Sequence, residues 1–93
     1  MDKTIYTREY GVLLNLLRSL REDSGDTQAE LAKKLGVTQS TYSKLERGER
    51  RLDVIQLRTI GKLIGISLVD FVTELEKEIR KPSKTKKKRS RRK

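Results

Sequence analysis

The side chains with the greatest capacity for binding or chemistry are polar residues at helical spacing near the middle of the chain. At about 100° per residue they fall within one sector of roughly 140° on a helical wheel. They offer amide, hydroxyl, ammonium and guanidinium groups and no carboxylate, and they are Gln39, Ser40, Ser43, Lys44 and Arg47. Tyr42 and Leu45 fall on the opposite side. The pattern therefore predicts a helix with one polar and one apolar face.

A polar face of this kind has the groups needed to hydrogen-bond base edges in a DNA major groove. Gln can bond bidentately to adenine N6 and N7, Lys can bond to guanine O6 and N7, and Ser is short enough for close approach. An ordinary solvated helix could carry the same residues, because Gln, Ser and Lys are common on surfaces. The turn before the helix and the basic loop after it favour base reading.

Catalysis is the weaker interpretation of the same residues. Ser-Lys chemistry could be imagined at Ser43 and Lys44, but an exposed helix offers no desolvation to lower a lysine pKa and no oxyanion site. The sequence contains no Cys and no His, which excludes disulfides, thiolate or imidazole metal sites and Ser-His or Cys-His pairs. We therefore expect no enzymatic activity and no cofactor.

The polar face must be positioned by the segment that precedes it. Two short helices between Gln28 and Arg47 are joined by Gly36, Val37 and Thr38. A turn of three or four residues that contains Gly lets two helices cross at a steep angle, and a small residue such as Ala32 permits their close approach. The spacing predicts a helix-turn-helix motif over residues 28–47.

Capping signals divide the rest of the folded part into an all-α domain of five helices. The first shows an apolar stripe of Leu13, Leu16, Leu17 and Leu20 and ends near Gly25. Helix starts are predicted at Thr27, Thr38, Asp53 and Ser67, because a hydroxyl or carboxylate there can accept from the first free amides. Glycines end three of these helices, at Gly36, Gly48 and Gly65. The fifth helix is predicted over about 67–80.

Most of the net charge of +10 lies at the end of the chain. Residues 80–93 carry ten basic side chains and no acid, whereas residues 1–79 carry 13 basic and 13 acidic side chains. We predict a domain over 1–81 and a disordered basic tail over 82–93, since the tail has little apolar surface to bury. The tail either follows a phosphate backbone or is a solvated tail that aids solubility. Residues 86–93 also resemble a nuclear-import signal, as any basic run does.

The stretch TQAELAKKLGVTQS at 27–40, followed by SKLERG at 43–48, resembles the Cro/repressor-type (XRE) helix-turn-helix family. The resemblance covers about residues 10–76 and is most specific over 27–48. It implies a five-helix, lambda-repressor-like domain that is usually a homodimer. Such a domain binds palindromic operator DNA and controls transcription.

The resemblance also implies roles for individual residues. Gln28 is expected to bond a phosphate and to brace Gln39, the first residue of the reading helix. The side chains that face bases, together with Gln39, are Ser40, Ser43 and Lys44. Those expected to approach phosphates, besides Gln28, are Arg47, Arg50 and Arg51. The alternative for these arginines is a set of solvated loop charges that pair in part with Glu49.

Three residues depart from the family pattern. Asp26 stands where an apolar residue usually precedes the helix cap, and Leu52 stands where Pro is frequent. Tyr42 replaces the usual Val or Ile on the buried side, so its hydroxyl must reach solvent or a partner. Arg21 and Glu46 are charges near the expected contact of the first and third helices, and the resemblance implies that residues at these places often pair. We therefore predict a structural ion pair between them, with contacts to DNA as the alternative.

The fifth helix carries an apolar stripe that a small domain can cover only in part. Its members include Phe71, Leu75 and Ile79, which we expect to form a two-fold dimer seam. Such a seam would set two reading helices about 34 Å apart, so that they meet successive major grooves. The alternative is that these residues complete the core of a monomer.

These observations favour a sequence-specific DNA-binding transcriptional regulator, most simply a dimeric repressor that reads an operator with the helix over 38–47. A second interpretation is an antitoxin or bridging adaptor of the same fold, which acts mainly by binding a protein such as a toxin. No run of about 18 apolar residues exists, so no membrane partner is expected. We expect a cytoplasmic protein, encoded by a bacterium or a phage and associated with the nucleoid.

Overall fold

The computed structural model describes residues 8–81, and within this range it contains five α-helices and no strand. The helices are α1 Arg8–Ser24, α2 Gln28–Leu35, α3 Gln39–Arg47, α4 Val54–Ile64 and α5 Leu68–Arg80. This confirms the predicted all-α, five-helix fold. The predicted basic tail over 82–93 lies outside the described residues.

The helices begin where the sequence supplies a side-chain acceptor. In α2, the Glu30 amide donates to Thr27 Oγ1 at 3.0 Å and the Thr27 amide donates to Glu30 Oε1 at 2.8 Å. Asp53 and Gln56 form the same reciprocal pair at the start of α4. Each pair satisfies two amides that a helix start leaves without partners. One-sided caps begin α3 and α5, with the hydroxyls of Thr38 and Ser67 as acceptors.

The turn between α2 and α3 follows the predicted path. Gly36 has a φ of 83°, a left-handed conformation that favours glycine, and its amide donates to the carbonyls of Ala32 and Lys33. The next amide, that of Val37, returns to the Ala32 carbonyl at 3.0 Å. Ala32 itself is only 1% exposed. Ala32 therefore adds only a methyl group to the core, and a small residue of this kind permits the close approach of two helices.

One hydrophobic core receives side chains from all five helices. Its buried members are Leu17, Leu31, Ala32, Tyr42, Leu45, Leu57, Ile60 and Phe71. Tyr42 and Leu45 fix the inner side of α3 in this core, at 0% and 1% exposure. Because the inner side is buried, the polar residues of α3 are turned outward.

A glycine inside α4 permits a close contact that the sequence patterns do not reveal. A Cβ atom on the buried Gly61 would lie 2.8 Å from the carbonyl oxygen of Ile66. The Ile66 amide donates to the Gly61 carbonyl at 2.8 Å, which folds the chain tightly back at the end of α4. A larger residue at position 61 would push against backbone, so Gly61 is required for the approach of α5.

Candidate nucleic-acid interface

The outer side of α3 presents the predicted polar face to solvent. Gln39, Ser40, Lys44 and Arg47 are exposed, and Ser43 is half-buried between them. The structure therefore brings the four predicted base-reading residues together on one surface. Short side chains at two of the positions leave the helix backbone accessible, which suits insertion between two phosphate backbones.

The inner side of α3 is anchored by a buried carboxylate. Glu46 is 9% exposed and accepts from Arg21 at two positions, with Nε at 2.6 Å from Oε2 and the second nitrogen at 3.3 Å from Oε1. The Tyr42 hydroxyl donates to Oε2 at 2.7 Å, and the Gln28 amide nitrogen donates to Oε1 at 2.9 Å. We call Arg21, Gln28, Tyr42 and Glu46 the Glu46 network. The predicted pair of Arg21 and Glu46 is present, and the Tyr42 hydroxyl finds its partner within the network.

The network sets the ionisation of its members. Burial acts to raise the pKa of Glu46, but the hydrogen bonds from Arg21, Gln28 and Tyr42 outweigh it and hold the pKa below its usual range. The pKa of Arg21 is raised, chiefly by its hydrogen bond to Glu46. The pKa of Tyr42 is raised by burial and by the adjacent carboxylate. Glu46 is therefore ionised and Tyr42 is protonated near neutral pH.

The Gln28 side chain makes a contact that the family resemblance does not imply. Among the contacts of residues 8–81, its side chain reaches Glu46 and not Gln39. Gln28 is the first residue of α2, and Glu46 lies in the last turn of α3. The amide therefore ties the start of one helix to the end of the next. Sequence spacing gave no sign of this contact, because it depends on the crossing angle.

Arg47 is oriented by two neighbours on the surface. Its guanidinium donates to both carboxylate oxygens of Glu49, at 2.8 and 3.1 Å, and to Ser43 Oγ at 2.5 Å. The hydrogen bond to Glu49 raises the pKa of Arg47 and lowers the pKa of Glu49. Glu49 thus binds the Arg47 guanidinium through two oxygens, the geometry in which a phosphate group can also bind an arginine.

Replacing Glu49 with Gln is expected to tighten binding to all DNA sequences and to steepen the salt dependence of binding. Arg47 is then released to a phosphate, and one added phosphate contact makes the slope of log K against log salt more negative by about 0.9. Titration of random-sequence duplex at several salt concentrations measures the slope. The matched control is Glu76→Gln, which breaks a similarly exposed Arg-Glu pair on α5 and should leave the slope unchanged. Weaker binding by Glu49→Gln would mean that Glu49 supports Arg47 in the complex.

The basic loop after α3 lies against the first turn of α1. The Leu52 amide donates to the Tyr10 hydroxyl at 3.1 Å, and the Arg51 guanidinium lies 5.2 Å from the centre of the Tyr10 ring. Arg50 is exposed beside it. These contacts fix the loop without the proline that is frequent at position 52. Tyr10 was not singled out by the sequence patterns, because its partners lie 41 and 42 residues away.

Asp26 also has a structural role where the family pattern has an apolar residue. Its carboxylate accepts from Lys34 Nζ at 3.1 Å, and its carbonyl accepts from Arg21 at 2.9 Å. The corner before α2 is therefore held by polar contacts. Asp26 and the Glu46 network share Arg21, so the start of α2 is tied to α1 and α3 through one guanidinium.

The predicted dimer residues occupy different environments on α5. Phe71 is 1% exposed and belongs to the core, so its side chain is not available to a second copy of the chain. Leu75 and Ile79 are half-buried. Val69 and Val72 are 74% and 46% exposed, which makes them the most exposed apolar residues of this helix.

Two short helices that cross at a glycine turn, with the second exposing a polar face, define the class of helix-turn-helix proteins. A helix-turn-helix family model matches residues 17–71 of the chain. No helix in the described range is long and apolar enough to cross a membrane.

Several known proteins are similar to this chain in sequence or in structure. An XRE-family like protein from Pseudomonas syringae pv. tomato str. DC3000 superimposes with a TM-score of 0.73 at 44% identity, over 81% of this chain and 92% of that one. Control protein C.MunI from Mycoplasma sp is 31% identical over 65 residues, which is 69% of this chain and 88% of C.MunI. The uncharacterized HTH-type transcriptional regulator y4dJ from Sinorhizobium fredii is 41% identical over 54 residues, which is 58% of this chain and 70% of y4dJ.

The chain belongs to the XRE-type helix-turn-helix family. It is a DNA-binding transcriptional regulator and not an enzyme. The family thus confirms the class that the polar face and the glycine turn predict from sequence.

Proposed function

We propose that the protein is a dimeric repressor that occupies an operator by inserting α3 into the major groove. The observation that carries the proposal is the orientation of α3. The Glu46 network and two core residues hold its inner side, so its polar face is presented in a fixed direction. Preorganised side chains lose little entropy on binding, which favours discrimination between base pairs.

The residues proposed to read bases are the exposed or half-buried members of this face, namely Gln39, Ser40, Ser43 and Lys44. Gln39 lies at the start of α3, where a helix first enters the groove, and its amide matches adenine. Lys44 lies five residues further along α3, and its ammonium group can bond to guanine O6 and N7. The serines permit close approach and can bond to either partner of a base pair.

The residues proposed to hold phosphates flank the reading face. Arg47, Arg50 and Arg51 lie at the end of α3 and in the loop after it. Phosphate contacts of this kind fix the register of the protein on the duplex without reading sequence. For Gln28 we retain a phosphate role only through the second N–H of its amide, because the first is donated to Glu46.

The proposed dimer seam is the exposed part of α5. Val69 and Val72 lie one turn apart on this helix, and Leu75 and Ile79 extend the same stripe with their remaining accessible surface. A second copy related by a two-fold axis would bury these residues against their own equivalents. Two reading helices would then address two half-sites of one operator.

Replacing Val72 with Glu is expected to make the protein monomeric and to weaken binding to a full palindrome by about a hundredfold or more, since linked half-sites gain that much from avidity. Sedimentation at micromolar concentration measures the oligomeric state. The matched control is Val54→Glu, an exposed valine at the start of α4, which should leave the dimer intact. A wild-type monomer that binds one half-site would contradict the proposed seam.

Selection of bound sites from random DNA tests the function itself. The expected result is a palindrome with half-sites about 34 Å apart, one helical turn of B-DNA. Selected sites without any shared sequence would contradict operator recognition and would favour a protein-binding adaptor of the same fold. In the proposed role the protein acts inside the cell, where its operator is.

A further inference from the structure

Three side chains at the end of α3 form a chain of hydrogen bonds that runs onto the reading face. Glu49 lies in the loop after α3 and accepts from Arg47 Nε at 2.8 Å and from Nη2 at 3.1 Å. The third nitrogen, Nη1, donates to Ser43 Oγ at 2.5 Å. We call Glu49, Arg47 and Ser43 the Ser43 chain. Because Ser43 is one of the residues proposed to read bases, this chain links a carboxylate outside the helix to the base-reading surface.

The hydrogen bond from Arg47 decides which group Ser43 can offer to a base. A guanidinium contains donors and no acceptor, so the serine oxygen must accept. Within residues 8–81 the Ser43 hydroxyl donates to no other group, whereas the hydroxyls of Thr59 and Thr73 donate to the carbonyl four residues before them. A cationic donor on the oxygen also polarises the O–H bond and makes it a stronger donor. Ser43 therefore offers its proton to the groove in preference to its remaining lone pair.

Lys44 adds a second donor beside Ser43. Its side chain is exposed, and an ammonium group can donate but cannot accept. The carboxylate of α3, that of Glu46, is buried in its own network and does not reach this surface. The end of the reading face thus offers hydrogen-bond donors, whereas Gln39 at its start offers both a donor and an acceptor.

Guanine is the base whose major-groove edge matches a surface of donors. It presents two acceptors, N7 and O6, and no donor, whereas adenine places its N6 donor beside N7 and cytosine presents its N4 donor. Thymine has the acceptor O4 beside a methyl group. A hydroxyl that can only donate therefore finds an acceptor across the whole edge of guanine, and it meets a donor or a methyl group on part of every other edge.

We infer that Ser43 reads a guanine as a hydrogen-bond donor, and that Arg47 and Glu49 are the positioning residues that hold it in this state. The inference rests on the proposed function and deepens it, because it names the base that this serine selects. It also assigns Glu49 an effect on specificity without contact to a base. Ser40 is the matched control on the same face, since its hydroxyl is exposed and forms no hydrogen bond within residues 8–81.

Binding to operators that differ at single base pairs tests which base is read. The position at which Ser43→Ala loses its preference is called the Ser43 base pair. The natural chain should prefer guanine there over each other base by about fivefold or more, the lower end for a good base contact. Hypoxanthine keeps the O6 and N7 of guanine and should be bound equally well. A preference for any base other than guanine, or a Ser43→Ala variant that keeps every preference of the natural chain, would overturn the inference.

Glu49→Ala tests the positioning role, because it removes both acceptors of the Arg47 guanidinium. The preference at the Ser43 base pair should fall by about fivefold, to the level of Ser43→Ala, and the double variant should show no further fall. Binding to random duplex should strengthen, as for Glu49→Gln, so the effects on affinity and on specificity have opposite signs. The melting temperature should stay unchanged, because the Arg47–Glu49 pair is exposed to solvent.

The base pair read by Ser40 provides the comparison within the same variant. Ser40→Ala identifies that base pair, and Glu49→Ala should leave the preference there unchanged. An unchanged preference at the Ser43 base pair in Glu49→Ala, or an equal fall at the base pair read by Ser40, would overturn the positioning role of Glu49.

These experiments separate the inference from the proposed function. If selection from random DNA yields no shared sequence, operator recognition fails, and with it the reading role of α3. If the selected operators share a sequence but the Ser43 base pair is not guanine, or is unaffected by Glu49→Ala, only the inference about the Ser43 chain fails. Guanine at the Ser43 base pair, together with a loss of that preference in Glu49→Ala, supports both.

Discussion

Replacing Glu46 with Ala is expected to lower the free energy of unfolding by about 3–5 kcal/mol, the usual cost of removing one partner of a buried ion pair. The substitution removes the acceptor for Arg21, Gln28 and Tyr42 together, and it leaves the Arg21 guanidinium buried at 7% exposure without its carboxylate. In a domain of this size the melting temperature should fall by more than about 12 °C. Thermal unfolding followed by circular dichroism measures the change.

Two control variants separate loss of charge pairing from loss of a side chain. Arg47→Ala removes an exposed arginine from the same helix and should change the melting temperature little, because solvent screens its pair with Glu49. The double variant Arg21→Met with Glu46→Leu should be more stable than either single replacement at these sites, since two apolar groups need no charge compensation. Equal small effects of Glu46→Ala and Arg47→Ala would contradict a structural role for the pair.

The pH dependence of stability provides a second measurement of the same network. The pKa of Glu46 is lower in the folded protein than its ordinary value, because the hydrogen bonds from Arg21, Gln28 and Tyr42 outweigh its burial. The contribution of Glu46 to stability is thus fully present above its unfolded pKa of about 4.3, and is lost as the pH falls through the lower folded pKa. Glu46→Gln, which cannot ionise, should show a shallower loss of stability below about pH 4.3.

Local rules predict the boundaries of the helices well. Thr27 and Glu30 form their caps through contacts three residues apart, so the sequence contains both partners of the interaction. Gly36 ends α2 because the left-handed conformation at that position is intrinsically favourable only for glycine. The pairing of Arg21 with Glu46, although distant in sequence, follows from the family resemblance and from two charges on the apolar sides of their helices.

Contacts that depend on how the helices cross could not be predicted in this way. The apolar stripe of α5 identifies a buried side, but its sequence does not say which members the domain covers. The structure places Phe71 in the core and leaves Val72 exposed, because consecutive residues of a helix point about 100° apart and the core covers only the side that carries Phe71. The Gln28 amide reaches Glu46 for a similar reason, since the distance between them is set by the α2–α3 crossing.

The rotamers of surface side chains also could not be predicted from residue spacing. Arg47 has a carboxylate two residues away and a hydroxyl four residues before it, and either could be left unused by another rotamer. In the structure it contacts both Glu49 and Ser43. An arginine that flanks the proposed reading face is therefore held in one orientation in the free protein, which residue spacing alone does not indicate.

Replacing Lys44 with Ala is expected to weaken binding to the selected operator by about 1–3 kcal/mol, roughly 5- to 150-fold, and to relax the preference at one base pair. Gln39→Ala should have an effect of similar size at a different base pair. Both side chains are exposed and lie outside the Glu46 network, so the free energy of unfolding should stay unchanged. Competition with operators that differ at single base pairs measures the preference position by position.

The pattern of losses, more than their size, distinguishes base reading from phosphate binding. Arg50→Ala is the matched control, because Arg50 is an exposed cation in the loop and is proposed to hold phosphate. Arg50→Ala should weaken binding to all duplexes alike and flatten the slope of log K against log salt by about 0.9. Lys44→Ala should weaken binding to random duplex less than binding to the operator. If Lys44→Ala weakened binding to every DNA sequence equally, α3 would lie against the phosphate backbone and not in the major groove. Its polar face would then supply affinity without information about sequence.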